Sequence, residues 1–160
     1  MVKLFSAREV IDIAIREEQT GANFYRALAD NTDSDDLREF ALEVAEMEDE
    51  HEQRFRDLRD RVGDYEPTGE SYSGEYESYM SYLIEGRIFP AGQDGTDLAE
   101  RQADDREAVE TAMELERNTL LFYHEMLQFI PENEQPLLDD IIAEERQHVT
   151  DFAEYKEEHF

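Results

Sequence analysis

Residues 11–28 read IDIAIREEQTGANFYRAL. Ile11, Ala14, Ile15, Ala22, Tyr25 and Leu28 recur at i, i+3, i+4 intervals, which is the period of one face of an α-helix. Glu18 falls inside that stripe, where an apolar side chain belongs. A carboxylate at a core position is costly unless something compensates it, so this residue raises the question of what the fold brings to it. Ser6 with Glu9 three residues on forms a capping box, and the helix is predicted over about 7–30.

Working outward, the turn-rich NTDSDD (31–36) leads into Leu37, Phe40, Ala41, Val44, Phe55, Leu58 and Val62. These mark a second amphipathic helix over about 35–62, stopped by Gly63. A short loop between two such helices predicts an antiparallel hairpin. A third helix, over about 105–130, is capped by Asp104 with Glu107. It carries Val109, Ala112, Met113, Leu120, Tyr123, Leu127 and Ile130 on one stripe. Pro131 and Pro136 bracket a turn, and Leu138, Ile141, Ile142, Phe152 and Tyr155 define a fourth helix over about 136–158. Between the hairpins, residues 63–104 are rich in Gly, Ser, Pro and Tyr, with YESYMSYLIEGRIF (76–89) able to form a short helix or an extended cover. The expectation is one all-α domain over 1–160, a four-helix bundle of the ferritin-like type made of two helical hairpins joined by a long crossover.

The third helix repeats the anomaly of the first. Glu116 interrupts Ala112, Met113, Leu120 and Tyr123 just as Glu18 interrupts its own stripe. In the second helix Glu48 and His51 lie on the buried face between Val44 and Phe55, and in the fourth Glu145 and His148 lie between Ile141 and Phe152. Both pairs have the i, i+3 spacing that puts two side chains on one side of a helix. Glu is so common here that two ExxH pairs alone carry little weight; the repeat carries the specificity. Glu48 follows Glu18 by 30 residues, Glu145 follows Glu116 by 29, and Tyr25 and Tyr123 each come seven residues after their Glu. The chain is thus an internal repeat of one hairpin, offset by 97 or 98 residues.

Four carboxylates near a bundle axis cannot all stay ionised uncompensated, because desolvation and mutual repulsion both oppose the charge. Two divalent cations would neutralise them with both histidines neutral. Carboxylate and imidazole donors suit iron or manganese, and zinc could occupy the same positions. The absence of cysteine removes disulfides, thiolate zinc sites and rubredoxin-type centres.

Charge narrows the field further. With 43 Asp and Glu against 15 Lys and Arg, the formal net charge is −28. Such a surface repels nucleic-acid phosphates and anionic membrane faces, so neither is expected as a partner. Of the cations only Lys3 and Lys156 are lysines. An acidic, lysine-poor skin resembles that of proteins working in molar salt, where a Debye length of about 3 Å screens self-repulsion. No signal-peptide core and no apolar run of 18 residues is found, so the cytoplasm is the expected compartment. Phosphate loops and nucleophile elbows are also missing.

The strings EEQTGANFY (17–25) and ELERNTLLFY (114–123), each followed by its ExxH helix (EDEH at 48–51 and EERQH at 144–148), resemble the ferritin-like di-iron carboxylate proteins, most closely the rubrerythrin family. The likeness runs from residue 7 to about 158. It implies that Glu18 and Glu116 act as single-helix ligands, Glu48 with His51 and Glu145 with His148 as the paired ones, and that these six form the catalytic centre. It also implies a cofactor of two iron ions, without haem or flavin, reacting with hydrogen peroxide or dioxygen in oxidant defence. Tyr25 and Tyr123 would then hydrogen-bond the carboxylates. Two departures stand out. Full rubrerythrins carry a rubredoxin-like centre on four cysteines, so here electrons are expected from a separate rubredoxin-like or ferredoxin-like donor. Where they have an extra carboxylate one turn after the third-helix Glu, this chain has Thr119.

Two other functions fit the same residues: a ferroxidase that handles or stores iron, and a non-catalytic acidic helical bundle. Glu17, Glu114, Glu144, His124 and His159 are expected at the solvated surface, because helical geometry turns them off the buried stripes. Tyr72, Tyr76, Tyr79 and Tyr82 of the crossover are expected to pack on the bundle or to mediate a homodimer.

Overall fold

The structure, a computed structural model, describes residues 5–65, 74–84 and 94–160. Helix α1 (Ala7–Asn31) opens with the expected capping box: Ser6 Oγ accepts from Glu9 N–H at 3.2 Å, and the Glu9 carboxylate accepts from Ser6 N–H at 3.0 Å. Helix α2 (Asp35–Val62) is capped by Ser34, which accepts from Leu37 N–H at 3.2 Å. Asp35 and Asp36 in its first turn and Arg59 and Arg61 in its last complement the helix dipole. It stops at Gly63, whose φ of +55° suits a residue without Cβ. The α1–α2 turn is tied onward by Thr32, whose hydroxyl accepts from Ser34 N–H and donates to Asp105 at 2.8 Å.

Helix α5 (Asp105–Met126) is capped by Asp104, with Glu107 accepting from Ala103 N–H. It ends four residues before the expected 130. Leu127–Phe129 tighten into a 3₁₀ turn, and the Gln135 side chain donates to the carbonyls of Leu127 and Ile130. Helix α6 (Gln135–His159) starts with Pro136 in its first turn. α1 packs along α2, α5 packs along α6, and α1 meets α5 between the two hairpins.

Two short helices lie in the crossover, α3 (Gly74–Ile84) and α4 (Gly95–Glu100). α4 is pressed onto α1 so closely that a Cβ on Gly95 would stand 2.0 Å from the Thr20 carbonyl oxygen and 2.7 Å from the Phe24 nitrogen. This contact gives α1 a second buried face, and Phe24, off the expected stripe, is fully buried. From α3, Met80 and Leu83 enter the core, Tyr79 lies beside Glu125 of α5, and Tyr82 is 61% exposed. Met80 and Leu83 thus do the covering, and Tyr82 remains largely exposed. Tyr72 and the side chain of Tyr76 lie outside the described residues.

The core runs through the centre of the bundle, with Tyr25 stacked on Phe152 and Tyr123 tilted against Phe55. Phe55 and Phe152 are again one repeat apart, so the sequence repeat is also a repeat of packing. Among the described residues there is no strand, and no helix is long and apolar enough to cross a membrane.

Candidate metal centre

The six side chains singled out by periodicity converge between α1, α2, α5 and α6. Glu18, Glu48, His51, Glu116, Glu145 and His148 are all between 0% and 5% exposed. They fall into two groups of donor atoms, each within 4.8 Å: Glu18, Glu48, His51 and Glu145 in one, and Glu48, Glu116, Glu145 and His148 in the other. Glu48 and Glu145 belong to both. The arrangement is that of two adjacent cation positions sharing two carboxylates, each completed by one Glu and one His. The two imidazole rings are 6.0 Å apart, centre to centre.

Both histidines turn Nδ1 inward. His51 Nδ1 lies 2.8 Å from Glu145 Oε1 and 3.5 Å from Glu18 Oε2; His148 Nδ1 lies 3.1 Å from Glu145 Oε2, 3.7 Å from Glu48 Oε1 and 3.8 Å from Glu116 Oε2. The His51–Glu145 contact is close but misaligned for a hydrogen bond. Glu18 Oε2, Glu48 Oε1, His51 Nδ1 and Glu145 Oε1 are buried with no hydrogen-bond partner among the described residues. Orphaned polar atoms at such depth call for an explanation, and atoms facing one another across a few ångströms are what a cation would bind. The donor set, all oxygen and imidazole nitrogen, fits iron or manganese.

Without cations the cluster is neutralised by protons. Burial pushes Glu48 well above the ordinary carboxylate value, reinforced by Glu18, Glu145 and Glu116. Glu116 is raised to about 8 by burial and then by Glu145. Burial alone would lower the histidines, but their carboxylate neighbours win, raising His51 to about 11 and His148 to about 10. Glu145 goes the other way: burial would raise it, and the two histidines flanking it hold it below its usual range. A metal entering here must displace these protons.

The tyrosines cross over between hairpins. Tyr25 in α1 donates to Glu116 in α5, and Tyr123 in α5 donates to Glu18 in α1. Burial, and then the adjoining carboxylates, raises both phenols well above their ordinary value, so they remain protonated donors. Gly21 completes the packing: a Cβ there would stand 2.9 Å from Glu48 Oε2, so the carboxylate occupies the space a side chain would take.

A small cavity of about 10 Å³, room for about one water molecule, adjoins the cluster. Its wall includes Glu17, Gly21, Leu115 and Thr119 beside Glu48 and Glu116. Glu17, expected at the solvated surface, is instead half-buried, with one carboxylate oxygen out of reach of solvent. Glu144, also expected there, accepts from Arg54 at 2.6 Å and lies 2.7 Å from His51 Nε2. Helical angles alone mislead at these two positions because a Glu side chain is long enough to curl from the edge of a stripe toward a neighbouring helix. The repeat held a signal for Glu144: its counterpart 97 residues earlier is Met47, an apolar residue at a position read as surface. Glu114, His124 and His159 are exposed as expected.

A family model described as Rubrerythrin matches residues 9–156. A solved structure described as a ferritin-like diiron-carboxylate protein from Thermotoga maritima superposes with a TM-score of 0.74 at 21% identity, covering 98% of this chain and 98% of that one. At that identity the likeness speaks to the fold, which is ferritin-like. No curated protein matches. The family match takes in nearly all of the four long helices and every residue of the buried cluster, and on it the chain belongs to the rubrerythrin family.

Proposed function

We propose that this protein is a di-iron oxidoreductase that reduces hydrogen peroxide, one iron held by Glu18, Glu48, His51 and Glu145 and the other by Glu48, Glu116, Glu145 and His148. The observation that carries this reading is the pair of buried donor groups sharing Glu48 and Glu145, with four of their donor atoms lacking any hydrogen bond. Family membership supports iron as the metal. A ferrous pair, when bound, supplies the two electrons that take peroxide to two waters.

The chain's own residues set the conditions. Tyr25 and Tyr123 hold Glu116 and Glu18 against rotation, fixing one end of each while the other is free for a cation. Phe55 and Phe152 pack against those tyrosines and keep bulk water from the centre. The cavity beside Glu48 and Glu116 admits a molecule the size of water, which favours a small oxidant over an organic substrate. Reduction of peroxide consumes two protons, and Glu17, reaching from the half-buried rim to the cavity wall, is placed to pass them inward. These 160 residues carry no cysteine for a rubredoxin-type centre, and in this reading the electrons come from a rubredoxin-like or ferredoxin-like donor.

The test is anaerobic loading with Fe(II), then addition of peroxide or dioxygen in separate runs while the ultraviolet absorbance of the ferric product is followed. Faster oxidation by peroxide, with two irons oxidised per peroxide, is expected. Oxidation by dioxygen alone would replace the peroxidase reading with a ferroxidase one, and fewer than one iron bound per chain would remove both.

A further inference from the structure

The internal repeat is broken at one place that matters to the metal centre. His51 and His148 are repeat equivalents, and each turns Nε2 away from the cluster toward the residue preceding the other ExxH glutamate. His51 Nε2 meets Glu144 Oε2 at 2.7 Å; His148 Nε2 meets Met47 Sδ at 3.4 Å. Positions 47 and 144 are themselves one repeat apart. Glu144 is fixed by Arg54 at 2.6 Å, so its carboxylate is anchored to α2, the helix that carries His51. Met47 has no comparable role, because a thioether is a weak acceptor.

With Nδ1 on a metal, Nε2 carries the hydrogen and must donate outward. Donation to a carboxylate fixes the ring and makes the inward nitrogen a stronger donor; donation to sulfur does little of either. We propose that the two metal positions are inequivalent, and that Glu144 is the positioning residue that makes the His51 position fill before the His148 position. This rests on the di-metal reading above.

The whole protein, stripped of metal, is titrated with Co(II) while the paramagnetically shifted imidazole N–H signals are followed by NMR in water. One N–H signal is expected to grow in before the other. Glu144→Gln should shift that first signal alone, speed its exchange with solvent, and weaken the first binding step by about 10- to 100-fold, the usual cost of losing such a partner. Met47→Glu, which gives the second histidine a carboxylate, should bring the two steps together. If the two signals grow in parallel in the wild type and respond equally to Glu144→Gln, the inference is overturned while the di-metal reading stands. Uptake of fewer than two Co(II) per chain, with no shifted imidazole signals, would remove both.

Discussion

The Glu48 carboxylate fills the space that a side chain on residue 21 would take. A mid-helix glycine costs roughly 1 kcal/mol relative to alanine, so its presence in α1 opposes helix stability and serves the carboxylate instead. Gly21→Ala should therefore leave the melting temperature of the metal-free protein unchanged or higher while weakening metal binding by about tenfold, since a displaced donor is lost to the cation. Calorimetric titration with Co(II) beside a thermal melt checks both; unchanged affinity would show that Glu48 is not held there for metal. Tyr25→Phe or Tyr123→Phe leaves a buried carboxylate oxygen without its donor and should cost about 1–3 kcal/mol in the metal-free protein, read by denaturant unfolding. At this scale the cluster's six members were legible because each is a polar residue on an apolar stripe. Glu17 and Glu144 were not, because a helical wheel knows the direction of a Cβ but not the neighbouring helix that a long side chain will find.

The four long helices were legible from periodicity, and Ser6 and Asp104 cap α1 and α5 as their spacing indicates; α2 is capped by Ser34, which was not singled out within the turn-rich NTDSDD, and α6 starts with Pro136 in its first turn and no side-chain cap. The end of α5 was not legible. A 3₁₀ turn over Leu127–Phe129 keeps the apolar spacing nearly helical, so the stripe continues to Ile130 after the α-helix has stopped. α4 was invisible for a different reason: six residues are too few to show a period, and its place depends on a contact with α1 that only the tertiary fold creates. That contact makes its own prediction. Gly95→Ala puts a methyl group into the backbone of Thr20 and Phe24, which cannot move aside as a side chain can, and should destabilise the protein by about 1–3 kcal/mol or displace α4. A melting temperature equal to that of the wild type, with protease resistance in the crossover retained, would mean that α4 does not seat on α1 as described.

For the molecule as a whole, the proton content of the metal-free centre sets the pH response. His51 at about 11, His148 at about 10 and Glu116 at about 8, with Glu48 also raised, bind protons more tightly in the folded than in the unfolded chain. Stability from such groups is fully present below their unfolded values and is lost as pH rises through the folded ones. Glu145, lowered in the fold, acts in the opposite sense, but its contribution is complete above about pH 5. The metal-free melting temperature should fall from about pH 6 to about pH 9. With metal bound the decline should shrink, because the same donors are already deprotonated. A metal-free protein that grows more stable over that range would contradict the protonation scheme. The net charge of −28 acts on top of this: added KCl should raise the melting temperature steadily as self-repulsion is screened.

Whether the six buried side chains hold two cations can be seen by anomalous diffraction from crystals grown anaerobically with Fe(II). Two iron peaks about 3.5–4 Å apart are predicted, both touching Glu48 and Glu145, one completed by Glu18 and His51 and the other by Glu116 and His148. A centre without iron, or iron bound only to carboxylates on the acidic surface, would mean that these six side chains are not a metal site.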